Sequence, residues 1–294
     1  MIQFTNSTHF LQFYQPVKRV SYFRNWTTRS LTLRILAIES STRYASAGVY
    51  ECTCPLSVNR DEILLSLFDV NPRTPENGLE FSQLETFSTK QPSSPNEKSN
   101  SSSNLVPGIQ QTLDRSGKKL RQNDLLAVAL GPGSFTGLRI GVVFAKTFGY
   151  ATNCKIKGVN TFDVLAYQSL PWLLGTRLER VSVGINIGRG EVLVSDFEFR
   201  QRKLTCVQTP LVQKPVHWQN QLDEKTLISG SGVKMIAAVE NERPNIVPVE
   251  FRIPTNEAVA KLAAINFLID GPDDIWSLDP IYSRPSAAEE KIKQ

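Results

Sequence analysis

Apolar positions in this chain come in short unbroken runs before residue 100 and in longer periodic stretches after it. "LRILAIESS" (33–41) is a continuous apolar run and reads as a strand, and the alternating "YASAGVYE" (44–51) reads as its hairpin partner. The turn between them is made of Ser, Ser, Thr and Arg, and the hydroxyl side chains there can hydrogen-bond their own backbone. "EILLSLFDV" and "LEFSQLETF" each fit a strand, separated by the turn-rich "NPRTPENG". "LVPGIQQTLDRSG" (105–117) puts Leu105, Val106, Ile109 and Leu113 on one helical face and stops at Gly117. Next come a buried strand, "LLAVALG" (125–131), and a helix apolar around most of its circumference, "TGLRIGVVFAKTFGYATN" (136–153). "KIKGVN" (155–160) is a short strand, and "TFDVLAYQSLPWLL" a helix with Thr161 as its expected N-cap.

The second half begins again with strands. "RVSVGINIGRGEVLVSDFEF" is a hairpin about Gly188-Arg189-Gly190, and "TLISGSG" is a strand entering a Gly-Ser-Gly turn. "PTNEAVAKLAAINFLIDG" reads as an amphipathic helix, with Pro254 near its start and Gly271 past its end. Two rounds of hairpin followed by strand–helix units predict a two-lobed α/β architecture. The expected division is a first lobe at 34–160, with an insertion at 52–104, and a second lobe at 161–289 ahead of a short tail at 290–294. Within the insertion, the Ser-rich 88–104 holds almost no apolar residues and is expected to be a loop.

Composition changes this picture in one place. Residues 1–38 contain five Lys or Arg and no acid, while the remainder holds 28 basic and 28 acidic residues, so the net charge of +5 belongs entirely to the N-terminal segment. The body therefore carries no global charge signal for nucleic acid. The segment at 1–33 loosely resembles a transit peptide in composition, and is expected to be a disordered extension or the product of a start assigned too early. No apolar run reaches the ~20 residues a membrane-spanning helix needs. Cys52, Cys54, Cys154 and Cys206 form no C-x-x-C pair, which points to a reducing, cytoplasmic setting with no zinc framework. With only His9 and His217, histidine-based chemistry has little material.

The candidate chemistry sits in "ALGPGSFTGLRIG" (129–141), where Gly131, Pro132, Gly133, Ser134, Phe135, Thr136 and Gly137 join strand to helix. A P-loop would need a Lys after Gly137, and a dinucleotide fingerprint would need one residue fewer, so neither pattern is met. Two readings stay open. Bare N–H groups at a helix start can hold an anion. Alternatively, the glycines serve a tight turn and close packing, with Ser134 or Thr136 capping the helix.

"GPGSFTGLRIG" resembles the signature of the TsaB family, the dimerisation subunit of the bacterial tRNA threonylcarbamoyladenosine machinery. "RILAIESST", "GRGEV" and "PIYSRPSAAE" resemble further family stretches, in family order, from residue 34 to 289. The resemblance implies an actin-like, Hsp70-like (ASKHA) fold of two RNase H-like lobes with mixed sheets. It implies a non-catalytic chain that pairs with a catalytic TsaD-type subunit through first-lobe helices, works with a small ATPase subunit, and meets tRNA through the complex. A homodimer in isolation would be compatible with the same helices. The expected interface residues are Leu105, Ile109 and Leu113 from one helix and Arg139, Val143 and Lys146 from the other.

The catalytic relatives carry an H-x-x-x-H metal pair, where this sequence has Val159 and Asp163, so no metal site is expected. No cofactor is expected either, although a vestigial nucleotide site could draw on Glu39, Ser40, Ser41, Gly230 and Gly232. Further departures are Asn186 in place of the family's usual Asp, and Ser101 where relatives often have His. Two rival functions are an actin-fold, ATP-dependent small-molecule kinase-like enzyme and a tRNA-binding module working alone.

Overall fold

A computed structural model describes residues 30–55, 80–89, 101–120, 124–174, 176–200, 203–236 and 245–283. The strand expected in "EILLSLFDV", residues 1–29 of the N-terminal extension, most of the Ser-rich stretch and the chain after residue 283 lie outside the described residues; residues 30–33, expected to belong to that extension, are instead the start of the first strand.

The first sheet is built from β1 (Ser30–Glu39), β2 (Ser46–Pro55), β3 (Glu80–Ser88), β4 (Leu125–Gly131) and β5 (Lys155–Asn160), in the order β3-β2-β1-β4-β5. β1 pairs antiparallel with β2 and parallel with β4. Every residue of β4 is buried, as a central strand covered on both faces requires. Leu36 and Ile38 face an outer core roofed by α1 (Ser101–Ser116) and α2 (Phe135–Thr152), while Ile35 and Ala37 face an inner core. α1 begins within the Ser-rich stretch expected to be loop, and ends as expected at Gly117, whose φ is +62°.

α3 (Thr161–Gln168) follows β5, but its N-cap is Asn160, whose Oδ1 accepts from Phe162 N at 2.8 Å; Thr161 is already helical. The expected single helix divides at Ser169 into α3 and the short α4 (Leu170–Leu173), with Pro171 in the first turn of α4. The second sheet holds β6 (Arg180–Asn186), β7 (Val192–Arg200), β8 (Lys203–Gln213) and β9 (Thr226–Ser229), in the order β8-β7-β6-β9. α5 (Pro215–Gln221) covers its outer face through Trp218, which is fully buried and donates to Ser182 Oγ at 2.8 Å.

α6 (Asn256–Asp270) differs from its expected amphipathic form. Ala258 to Ala260 and Leu262 to Ile265 are buried around nearly the whole helix, the pattern of a helix enclosed on all sides. It lies against β1, β2, β4 and β5, so the inner core runs from the first sheet through α3 and α6 to the inner face of the second. A cut at residue 160 therefore does not separate the lobes. The chain returns to the first sheet after completing the second, and Tyr50 Oη donates to Asn256 Oδ1 at 2.5 Å across that junction. No helix among the described residues is long and apolar enough to cross a membrane.

Candidate functional site

At the end of β4 the chain turns through Gly131, with φ at +109°, and a cis Gly131–Pro132 bond into α2. Ser134 caps the helix, its Oγ accepting from Gly137 N at 3.4 Å. The glycines that follow face the β1–β2 turn. A methyl group on Gly133 or Gly137 would strike the carbonyl oxygens of Ser41 and Ser40, and one on Gly141 would strike the Ser40 hydroxyl. Ser134 N donates to Ser41 O at 2.5 Å. Two of the N–H groups at this helix start, those of Ser134 and Gly137, are thus taken by the protein's own atoms, which favours the packing reading of the turn.

The packed turn holds a buried acid. Glu39 is fully buried, and its Oε1 accepts from Ser41 N at 2.7 Å and from Ser41 Oγ at 2.5 Å. Burial pushes its pKa up to about 7, with the hydrogen bonds from Ser41 and Thr42 pulling the other way. Ser40 Oγ is buried without a hydrogen-bond partner.

The second-lobe loop expected to share a nucleotide site is also turned inward. Gly230, with φ at +95°, and Gly232 press on the backbone of Gly184 in β6. Ser231 Oγ accepts from Asn186 N at 3.1 Å, and Asn186 Oδ1 accepts from Gly188 N at 2.8 Å, closing the hairpin turn. Glu39, Ser40, Ser41, Gly230 and Gly232 are all buried. Val159 is buried and Asp163 lies in the first turn of α3. Among the described residues, no three His, Cys, Asp or Glu side chains gather in a way that could hold a metal ion.

The two outer helices require a correction. Leu105 and Ile109 are fully buried in the outer core with Leu36 and Ile38, and Leu113 packs against the same cluster; the apolar face of α1 is spent on its own sheet. Arg139 and Lys146, expected at the interface, are engaged within the chain. The Arg139 guanidinium lies 3.9 Å from the Phe135 ring centroid, and its Nε donates to Tyr282 Oη at 2.9 Å. Lys146 Nζ donates to the carbonyls of Trp276 and Leu278 at 3.2 and 3.1 Å.

Of the six expected interface residues, only Val143 stands free, 62% exposed. It belongs to a stripe running Phe135, Arg139, Val143, Tyr150, opposite the buried stripe Gly137, Gly141, Ala145, Gly149. Val106 of α1 is 45% exposed on the same outer layer. The spacing of the glycines along α2 was the available signal: small residues mark the face that approaches backbone, so the opposite stripe is the one left open.

Sequence reasoning missed the segment at 271–283, a strap laid along the flank of α2. Asp273 accepts from Lys157 Nζ at 2.7 Å and from Gly158 N at 2.8 Å, and its own N–H donates to Ile156 O at 2.8 Å. At the other end Ile281 N donates to Leu130 O at 2.7 Å.

The model of the TsaD family, tRNA N6-adenosine threonylcarbamoyltransferase, matches residues 94–251. The chain is 26% identical to the tRNA threonylcarbamoyladenosine biosynthesis protein TsaB of Escherichia coli K12 over 193 residues, covering 64% of this chain and 82% of that protein. It is 25% identical to the TsaB of Haemophilus influenzae over 199 residues, covering 64% and 81%. Among solved structures, YeaZ from Pseudomonas aeruginosa superposes with a TM-score of 0.60 at 18% identity, over 85% of this chain and 99% of that one, which bears out the two-lobed α/β fold.

Proposed function

The chain belongs to the tRNA N6-adenosine threonylcarbamoyltransferase family, in its TsaB branch, and on that premise we propose that it is the non-catalytic subunit that pairs with a catalytic TsaD-type chain. Its process is tRNA threonylcarbamoyladenosine biosynthesis. The observation that carries the pairing role is the open stripe of α2: Val143 is well exposed on a helix whose opposite face is locked to the β1–β2 turn by glycines. A helix held along one face and exposing Val143 and Tyr150 on the other is suited to pack against an equivalent helix of a partner.

The absence of transfer chemistry from this chain is supported by Val159 and Asp163, which stand where the catalytic relatives hold two metal-binding histidines. No cofactor enters this reading, since the β1–β2 turn packs on the start of α2 and the Gly230–Gly232 turn on the Gly184 backbone. The small ATPase subunit and tRNA then meet this chain only through the assembled pair.

The test is reconstitution. Threonylcarbamoyl transfer to tRNA is measured with the catalytic and ATPase subunits from the same cell, with and without this chain. Activity that needs this chain, with none from this chain alone, is the expected result; transfer that is indifferent to its addition refutes the role. Val143→Asp is expected to abolish pairing while the monomer keeps its thermal unfolding midpoint. If the variant loses its fold as well, that row is core.

A further inference from the structure

The second lobe holds a cavity that the pairing role leaves unused. Its volume is about 330 Å³, and it lies where the chain leaves α4 for β6 and where it enters β9. One wall is apolar, made of the half-buried Trp172 and Ile246 with the buried Leu227. The polar groups facing it are Arg177, Glu224 and Asn245. Small-molecule pockets run from about 300 to 1,000 Å³, so this one suits a ligand of amino-acid size.

The segments that carry these groups are already fixed. Glu179 N donates to Lys225 O at 3.1 Å, which sets the chains leading into β6 and β9 side by side. Thr176 closes the loop carrying Arg177, its Oγ1 donating to Leu173 O at 2.7 Å and accepting from Leu178 N at 3.2 Å. Asp223 closes the turn carrying Glu224, its Oδ1 accepting from Lys225 N at 3.1 Å and from Thr226 Oγ1 at 2.5 Å. Asn245 Nδ2 donates to Glu224 O at 2.5 Å, and Asn245 O and Val247 N are bonded to Ile228 along the free edge of β9. The neighbouring charges pair off: Lys225 meets Glu179 at 3.5 Å and Arg180 meets Glu198 at 3.3 Å. Arg177 and Glu224 are left over. Among the described residues their side chains pair with nothing, not even with each other, although both line one cavity from neighbouring chains. Opposite charges that share a hollow without meeting are matched by a ligand that carries both signs.

We propose that this cavity binds a free α-amino acid with an apolar side chain. The ligand's carboxylate meets the Arg177 guanidinium, its ammonium group meets the Glu224 carboxylate and the Asn245 amide oxygen, and its side chain lies on Trp172, Leu227 and Ile246. A free amino acid carries both charges on one carbon, whereas a peptide end, an amine or a fatty acid brings only one and leaves the other protein charge unanswered. The described lining includes nothing from α2, so the inference stands apart from the pairing role.

Binding of valine, leucine and phenylalanine to the purified full-length chain is measured by calorimetry, beside their N-acetyl and amide forms. At least one free amino acid is expected to bind with a dissociation constant below about 1 mM. Arg177→Gln and Glu224→Gln change exposed side chains without partners, so each is expected to keep the thermal midpoint and to weaken binding about tenfold, the loss of one charged hydrogen bond. Blocking the ligand's amine is expected to weaken the wild type by a similar factor and to cost Glu224→Gln little more, because the two changes remove the same contact. No binding of any of the three at about 10 mM overturns the proposal, as does binding that either substitution leaves unchanged. Blocked forms that bind as tightly as the free amino acid overturn it as well, since the cavity would then read neither charge.

Discussion

Glu39→Gln isolates the electrostatics of the β1–β2 turn. The carboxyl group is fully buried and its pKa is raised from 4.5 to about 7, so between those values the folded protein binds a proton that the unfolded chain has released. The contribution of this group to stability is therefore fully present below pH 4.5 and is lost as pH rises through 7. At about 1.4 kcal/mol per pH unit across that window, wild type loses roughly 2 to 3 kcal/mol from this one residue between pH 5 and pH 8. Glutamine does not titrate. Its carbonyl can keep the bonds from Ser41 that Oε1 now accepts, while its amide meets Ser41 N and Oγ where Oε2 lies at 3.2 and 3.1 Å, a mismatch costing about 1 kcal/mol at every pH. The variant should thus unfold in urea within about 1 kcal/mol of wild type at pH 5 and be more stable by about 2 kcal/mol at pH 8. A difference between the two proteins that stays constant from pH 5 to pH 8 would refute the reasoning, because it would mean that the buried carboxyl titrates alike in both states.

Three further outcomes follow from packing. Gly137→Ala forces a methyl against Ser40 O, which is backbone and cannot turn aside; a loss of about 1–3 kcal/mol in urea unfolding is expected, together with weaker pairing as α2 shifts. Leu105→Ala is expected to cost about 2–5 kcal/mol of stability while the folded fraction keeps its affinity for the partner, since this side chain faces the sheet. Tyr50→Phe removes the donor to Asn256 Oδ1 and leaves a buried acceptor unpaired, so thermal unfolding should show a loss of about 1–3 kcal/mol, and a neutral result would mean that Asn256 finds another donor.

Much of the fold could be read from periodicity because the elements concerned are either alternating or uniformly apolar. β4 is seven residues of unbroken burial and β9 four, which marks both as central strands. The apolar face of α1 was legible too, but not its destination: Leu105 and Ile109 look the same whether they meet a sheet or a partner. Arg139 and Lys146 were misread for a related reason. Their partners, Tyr282 and the carbonyls of Trp276 and Leu278, lie some 130 residues or more along the chain. The strap has no period at all, being fastened by main-chain bonds, by Lys146 and by a part-buried ion pair, Lys157 with Asp273. The glycine turn was the converse case. Its residues announced a close approach, and only the fold revealed that what approaches is the Ser40–Ser41 backbone rather than a phosphate.

The return of α6 to the first sheet bears on how the protein is made. A nascent chain that has emerged only to residue 160 holds all five strands of the first sheet, yet one side of that sheet still faces water, because its cover is encoded after residue 255. The second sheet has its strands contiguous between residues 180 and 229 and can pair them as they leave the ribosome. The lobe translated first is therefore the lobe finished last. Until residues 256–270 arrive, Ile35, Ala37 and Ala127 lack that cover and are open to a chaperone.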